Sequence, residues 1–343
     1  MILIDTQKEE FSKLRDIRVF GRISHDDRFN GNLLVIGLGG VGSRTVCNLK
    51  GMMVDDIIPE DNIHFLMIDS DIPEMEQTIE DSKEHVGFNA LEVLSIYRPN
   101  IENILADGIK KNPVHPNLAN WMDADFPDVT VTKDGAHGNR QIGRLMFSNA
   151  YEDIRMLLFD RLEEIHDKAN GNWMDVIIVS SLSGGTGSGI LSDLTYNIRA
   201  YGKAKKWANL RIGGCLLMPD VIFGNKSVTE DPELMFRMMA NGCAALKEVD
   251  YYMKLSEKDD AYIFESTTHK LVIRENLFDA CMLVSGKKDS QGYLPEGTVL
   301  MDTASFLYKL ACNKYIGNND VNDDRKLLRD VFCDKLEDGT FGF

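Results

Sequence analysis

The chain has 343 residues, 43% of them hydrophobic, enough to fill the core of one large domain or two ordinary ones. Its formal charge of −16 repels phosphate backbones and anionic lipid, so nucleic acid is not an expected partner. No apolar run reaches the roughly 18 residues of a membrane span, and six scattered cysteines, at 47, 215, 243, 281, 312 and 333, argue against a disulfide framework or a zinc site.

Residues 1–31 mix charges with short apolar pieces and read as an N-terminal extension. The opening MILIDTQKEEFSKLRD is charged too early for a signal peptide, which implies a cytoplasmic protein without direct membrane insertion. From residue 32, apolar runs of β type (NLLVIG, IHFLMID, MDVIIVSSL, LRIGGCLLMP and FDACMLVSG) alternate with stretches whose apolar residues recur every three or four positions. Those helical stretches are VGSRTVCNLKGMM, a single long one over 139–169, GSGILSDLTYNIRAYGKA and PELMFRMMANGCAALKEVDYYMKL. The alternation predicts an α/β fold, a Rossmann-like parallel sheet flanked by helices. Flexible loops are expected at SEKDD, GKKDSQGYLPEG and GNNDVNDD.

The first strand runs into IGLGGVGSR, where Gly37, Gly39 and Gly42 fit G-x-G-x-x-G between a strand and a helix. Such a turn offers backbone N–H groups and a helix N-terminus to a pyrophosphate. A dinucleotide site also asks for an acid about 20 positions on. The acids that close the second strand, Asp69 and Asp71, stand further along than that. A second loop, GGTGSG at 184–189, follows the strand DVIIVSS and opens the helix ILSDLTYNI. Its amides and hydroxyls can surround further phosphate oxygens. A nicotinamide cofactor has no use for two such loops, whereas a nucleoside triphosphate needs its β- and γ-phosphates neutralised from several sides. No G-x-x-x-x-G-K-[ST] is present, so the chain is not a P-loop protein.

GGTGSG matches the signature of the tubulin/FtsZ superfamily, and IGLGGVG is similar to that family's first phosphate loop, here Gly37, Gly39, Gly40, Val41 and Gly42. DGAHGNRQIGRLMF resembles its γ-phosphate-sensing loop, with Gly135, Ala136, Gly138 and Asn139 standing before the next helix. The motifs keep the family's order over roughly 32–330, and GNRQIGRL and FDACMLVSGKKDSQG most resemble bacterial tubulin-like proteins outside the division FtsZ group. The resemblance implies a GTPase domain at 32–297, a long central helix with its catalytic loop at 298–325, and at 326–343 the start of a second domain, mostly absent, as in a piece of a longer protein or in one that makes its longitudinal contact without most of that domain.

It also implies GTP (or GDP) with Mg²⁺ as the ligand. Ser183, Gly184, Gly185, Thr186, Gly187 and Ser188 would join the other two loops around the phosphates, with Asp69 and Asp71 holding the metal through water. Glu233 and Arg237 resemble the family's ribose and guanine contacts; four apart on a helix, they equally suit a surface ion pair. On the central helix, Phe306 or Tyr308 would stack on the base, or serve the core. The family's Asn or Asp one turn later is Leu310 or Cys312 here, with Asn313 one residue late, so guanine and adenine both stay open. His137 is an exposed loop residue or a phosphate contact. Asn318, Asp320 and Asp323 reproduce the N-x-D-x-x-D catalytic loop that completes a neighbouring subunit's site, which implies self-association into head-to-tail filaments. Two other readings compete: a nucleotide-sensing switch or scaffold with little hydrolysis, serving an assembly partner or effector, and a dinucleotide-dependent oxidoreductase resting on Gly37, Gly39 and Gly42 alone.

Overall fold

The computed structural model describes residues 32–55, 63–82, 84–106, 121–122, 133–171, 173–266, 269–288 and 292–311. The N-terminal extension, Asn318, Asp320, Asp323 and the segment 326–343 lie outside the described residues. In chain order the elements are β1 (Leu33–Leu38), α1 (Gly39–Asp55), β2 (Ile63–Asp69), α2 (Ile72–Ser82), β3 (Val93–Ser95), α3 (Ile101–Ala106), α4 (Arg140–Asn149) and α5 (Tyr151–Ala169). There follow β4 (Met174–Ser181), α6 (Thr186–Ala204), β5 (Leu210–Leu217), α7 (Lys226–Thr229), α8 (Pro232–Tyr252), β6 (Tyr262–Glu265), β7 (Lys270–Ile273), β8 (Ala280–Val284) and α9 (Glu296–Ala311).

Six strands form one parallel sheet in the order β3-β2-β1-β4-β5-β8. The central strands β1 and β4 are buried along their whole length, as continuous apolar runs must be when helices cover both faces. Successive side chains of β1 enter opposite cores. Leu34, Ile36 and Leu38 pack with Phe147, Leu158 and Leu194 from α4, α5 and α6. Leu33 and Val35 pack on the other face with Val46 and Leu49 of α1 and Val299, Ala304 and Leu307 of α9. The sheet flanked by helices therefore matches the expected fold class, with all five expected strands present.

Beyond the short elements β3, α2, α3 and α7, which were not expected, two local features differ from expectation. The helix expected over 139–169 is two, because the backbone leaves helical geometry at Ala150 (φ −92°, ψ 5°). The break sets Phe147 and Tyr151 edge-on at 6.1 Å, and both rings meet Phe264 of β6, at 6.1 and 4.7 Å. The second difference is that same β6, which pairs antiparallel with β7 as a separate hairpin.

From β1 the chain steps outward to β2 and β3, and from β4 it steps the opposite way to β5 and β8. Ligands of such open sheets bind at the carboxyl ends of the strands where the direction reverses. The two glycine loops leave β1 and β4, the strands on either side of that reversal. Among the described residues no helix is long and apolar enough to cross a membrane.

Candidate functional site

Close backbone contact explains why the loops need glycine. Gly39, with φ +69°, turns β1 into α1. A β-carbon on it would lie 3.0 Å from the amide nitrogen of Gly187, and one on Gly187 would lie 2.6 Å from the carbonyl oxygen of Leu38. The first loop and the GGTGSG loop are thus in direct contact. The third loop closes on the second: a β-carbon on Gly185 would stand 2.6 Å from the nitrogen of Asn139, and one on Gly143 2.4 Å from the carbonyl oxygen of Gly185. Gly39, Asn139 and Thr186 come together at one site.

Side chains fasten this arrangement. The third loop is left-handed at Gly135, His137 and Gly138, and Asn139 caps α4 by accepting from the amides of Gln141 (3.0 Å) and Ile142 (3.1 Å). Ser70, just after β2, lies 2.5 Å from the Thr186 hydroxyl and accepts from the Ala136 amide at 3.1 Å. Asn241 of α8 donates to the carbonyls of Gly138 (2.7 Å) and Ser183 (2.9 Å), bridging two loops. One turn earlier on α8, Arg237 donates to the His137 carbonyl at 3.2 Å and stands 3.7 Å from Glu233, so α8 roofs the third loop. His137 itself is exposed.

Four buried side-chain oxygens in these segments have no hydrogen-bond partner, Ser43 Oγ, Asp69 Oδ2, Ser183 Oγ and Ser188 Oγ, and neither has Arg140 Nε at the start of α4. Each such atom costs about 1–3 kcal/mol, so their gathering at one sheet end suits a polar ligand that would satisfy them. Asp69 is 2% exposed, and its Oδ1 accepts from the amides of Ser70 (2.6 Å) and Asp71 (3.3 Å). Burial, only partly offset by those amides, pushes its pKa up to about 7. Asp71 spends Oδ1 on the Glu74 amide at 2.8 Å, capping α2.

Among the described residues no three His, Cys, Asp or Glu side chains gather at metal-binding distance. A pair of carboxylates nevertheless suits Mg²⁺, which keeps several waters and takes further oxygens from substrate phosphates. The partnerless Oδ2 of Asp69 is the atom such an ion would relieve.

Glu74 also reaches the first loop. A β-carbon on Gly40 would lie 2.3 Å from its Oε1, so the carboxylate covers the positive end of α1. It pairs with Arg44, which reaches Glu296 of α9 at 2.8 Å. Burial raises the Glu74 pKa, with Arg44 opposing.

The two candidate base-stacking residues are placed differently from the loops. Tyr308 is buried in the α1–α9 core with Leu307 and Val299, and Phe306 is half-buried against the same cluster. Cys312, Asn313 and the three residues of the expected catalytic loop lie outside the described residues. Sequence reasoning missed Ser43, Ser70, Glu74 and Asn241. Ser43 and Ser70 adjoin the motifs, and Asn241 follows Arg237 at i+4, on the same helix face.

Neighbouring glycines of the second loop differ in the room around them. A β-carbon on Gly184 would meet no atom within 4 Å, whereas one on Gly185 runs into the backbone of the third loop. Gly184→Ala should leave stability within about 0.5 kcal/mol, and Gly185→Ala should lower it by about 1–3 kcal/mol, read from chemical denaturation. Asp69 makes stability depend on pH, because its pKa rises from 3.8 to about 7 on folding. Below about pH 4 both states are protonated; between about 4 and 7 the unfolded chain releases a proton that the fold retains, so stability falls as pH rises. The full cost, up to about 4 kcal/mol, is present above about pH 7. Asp69→Asn should therefore be more stable than the parent at pH 7.5 without metal, with the difference vanishing near pH 4.

A family profile described as tubulin like matches residues 34–322. A search of curated proteins returns no match. Among solved structures, the GTPγS-form protofilament of TubZ from Bacillus thuringiensis serovar israelensis is similar at 13% identity and TM-score 0.48, covering 96% of this chain and 66% of that one. CetZ from Methanosaeta thermophila is similar at 15% identity and TM-score 0.46, covering 89% of this chain and 61% of its own. CetZ2 from Haloferax volcanii, solved as a GTPγS-bound protofilament, follows at 11% identity and TM-score 0.44, with 88% and 63% covered. The chain thus spans less than two thirds of the length of these proteins. With the profile extending over more than half of the sequence, and over all three glycine loops, the chain belongs to the tubulin-like family.

Proposed function

We propose that this chain is a GTPase that binds GTP with Mg²⁺ at the carboxyl ends of β1 and β4, assembles head to tail into filaments in the cytoplasm, and hydrolyses the nucleotide at subunit junctions. The observation that carries the reading is the meeting of three glycine loops beside four partnerless buried side-chain oxygens. Backbone amides of 39–42, 135–139 and 184–188 then cradle the phosphates from separate sides, with the N-termini of α1, α4 and α6 adding favourable partial charge. Asp69 and Asp71 would hold Mg²⁺, which supplies neutralisation of the β- and γ-phosphate charge when bound.

Glu233 and Arg237, exposed on α8 beside the third loop, would meet the sugar and base, and Phe306 of α9 would stack on the base. Glu74 must release the N-terminus of α1 as phosphate arrives, with Arg44 and Glu296 holding the displaced side in place. Asp320 and Asp323 of one copy would orient the attacking water at the next copy's site, with Asn318 positioning their loop.

A concentration series tests the shared site. Turnover per subunit should climb with protein concentration as junctions form; a rate that stays flat and near zero while GTP still binds would favour a nucleotide switch instead. The nucleotide released by heat and identified by mass should be GTP or GDP, and NAD(P) in its place would overturn the reading.

A further inference from the structure

The β6–β7 hairpin stands apart from the main sheet, and its β6 strand, with α4, α6 and the end of α8, borders a half-open cavity of about 320 Å³. Beside β6 it is lined by Trp121, Arg144, Ser148, Asp193, Tyr252 and Ala261. Asp193, 2% exposed, accepts from Arg144 Nε at 2.7 Å and Nη2 at 3.1 Å, and from the Tyr262 hydroxyl. Both oxygens of its carboxylate are engaged. Arg144 is engaged only in part: its Nη1 has no hydrogen-bond partner among the described residues, its side chain is 28% exposed, and its guanidinium carbon lies 4.7 Å from the centre of the Trp121 ring.

The remaining charges of the lining cancel. Arg144 offsets Asp193, and Glu265 is paired with Lys270 at 3.2 Å. A strongly charged guest would meet an already neutralised wall, whereas a flat uncharged one meets aromatic surface on Trp121 and Tyr252 and two N–H donors of Arg144 Nη1. The volume lies at the lower end of the roughly 300–1,000 Å³ of small-molecule pockets, enough for one or two fused rings. We infer that this cavity is a second binding site, for an uncharged planar heteroaromatic molecule whose carbonyl oxygen accepts from Arg144 Nη1.

The cavity also touches the glycine loops through the chain. α4 begins at the Asn139 cap and α6 at Thr186, and the Arg144–Asp193 bridge cross-links these two helices. A guest held by Arg144 therefore stiffens the two helices that carry two of the phosphate loops, and is expected to slow release of a fluorescent GDP analogue. This last effect rests on the proposed nucleotide site; the binding itself does not.

2-Quinolone, a neutral bicyclic lactam, is the probe, with saturation-transfer NMR and Trp fluorescence as readouts on the whole chain. Saturable one-to-one binding with a Kd of about 1 mM or tighter is expected. Indole, which has fused rings and an N–H but no acceptor oxygen, should bind about tenfold more weakly. Ala261→Trp and Ser148→Trp fill the cavity from two walls, and each should weaken the quinolone by about tenfold or more while circular dichroism stays native. If one of them fails to fold, the other decides. No saturable quinolone binding, or binding unchanged in a folded cavity-filling variant, overturns the site. Quinolone binding that persists in a chain found not to bind GTP would sink the nucleotide reading and leave this one standing.

Discussion

Asp320→Ala is expected to lower GTP turnover by about 10²–10⁴-fold while leaving nucleotide affinity nearly unchanged. In the proposed arrangement the phosphates are held by the loops of one copy, all of which precede α9, and the water is oriented by the acid of another. Removing that acid takes away a transition-state contact and spares the cradle. Mixing supplies a sharper check. A variant such as Gly185→Ala, defective in its own cradle, still offers Asp320 to a neighbour, so adding it to Asp320→Ala protein should restore part of the turnover. Equal loss of binding and turnover in Asp320→Ala, or no recovery on mixing, contradicts a site shared between copies.

The second large effect is on stability. Lys50 of α1 is buried and donates to the Gly87 carbonyl at 2.7 Å and to both oxygens of Glu92, at 3.0 and 2.8 Å. Its ammonium also lies 4.8 Å from the centre of the Phe88 ring. Glu92 in turn accepts from the Asn89 amide at 2.9 Å, and its carbonyl takes the Met67 amide of β2. One lysine thus pins the stretch from Gly87 to Glu92 onto α1. Lys50→Met should cost about 3–5 kcal/mol, because it strands the Glu92 carboxylate in an apolar setting. Lys50→Met with Glu92→Leu should recover most of that loss, since no buried charge is left uncompensated. Denaturant midpoints at unchanged slope measure both. A single substitution costing no more than the double would show that the pair contributes no such constraint.

Much of the fold was legible because its requirements are local. Buried parallel strands must be apolar on both faces, and the run at 33–38 shows that directly. The hairpin was not legible. Ile263 and Val272, opposite each other across it, are 54% and 57% exposed, so apolar side chains point to both faces and no alternation marks the strands. They hold as strands because Tyr262 and Phe264 find partners on α4, α5 and α6, at 4.7 Å for Phe264 with Tyr151 and 4.3 Å for Tyr262 with Tyr196. Asn241 was hidden for a related reason: an asparagine in mid-helix carries no signal until α8 is laid over two loops distant in sequence.

The amino-acid sequence by itself determined where the backbone must bend sharply or lie close to another segment, since only glycine relieves a clash or a left-handed turn, as at Gly39 and Gly185. It also determined which acids stand at a strand's end. The tertiary structure alone decided which of those bends share a site, that Asp69 is buried deeply enough for its pKa to be pushed up to about 7, and that Tyr308 packs with Leu307 and Val299. Both outcomes depend on strand order and on helices meeting across long separations in sequence, where desolvation and packing act between residues that no local pattern links.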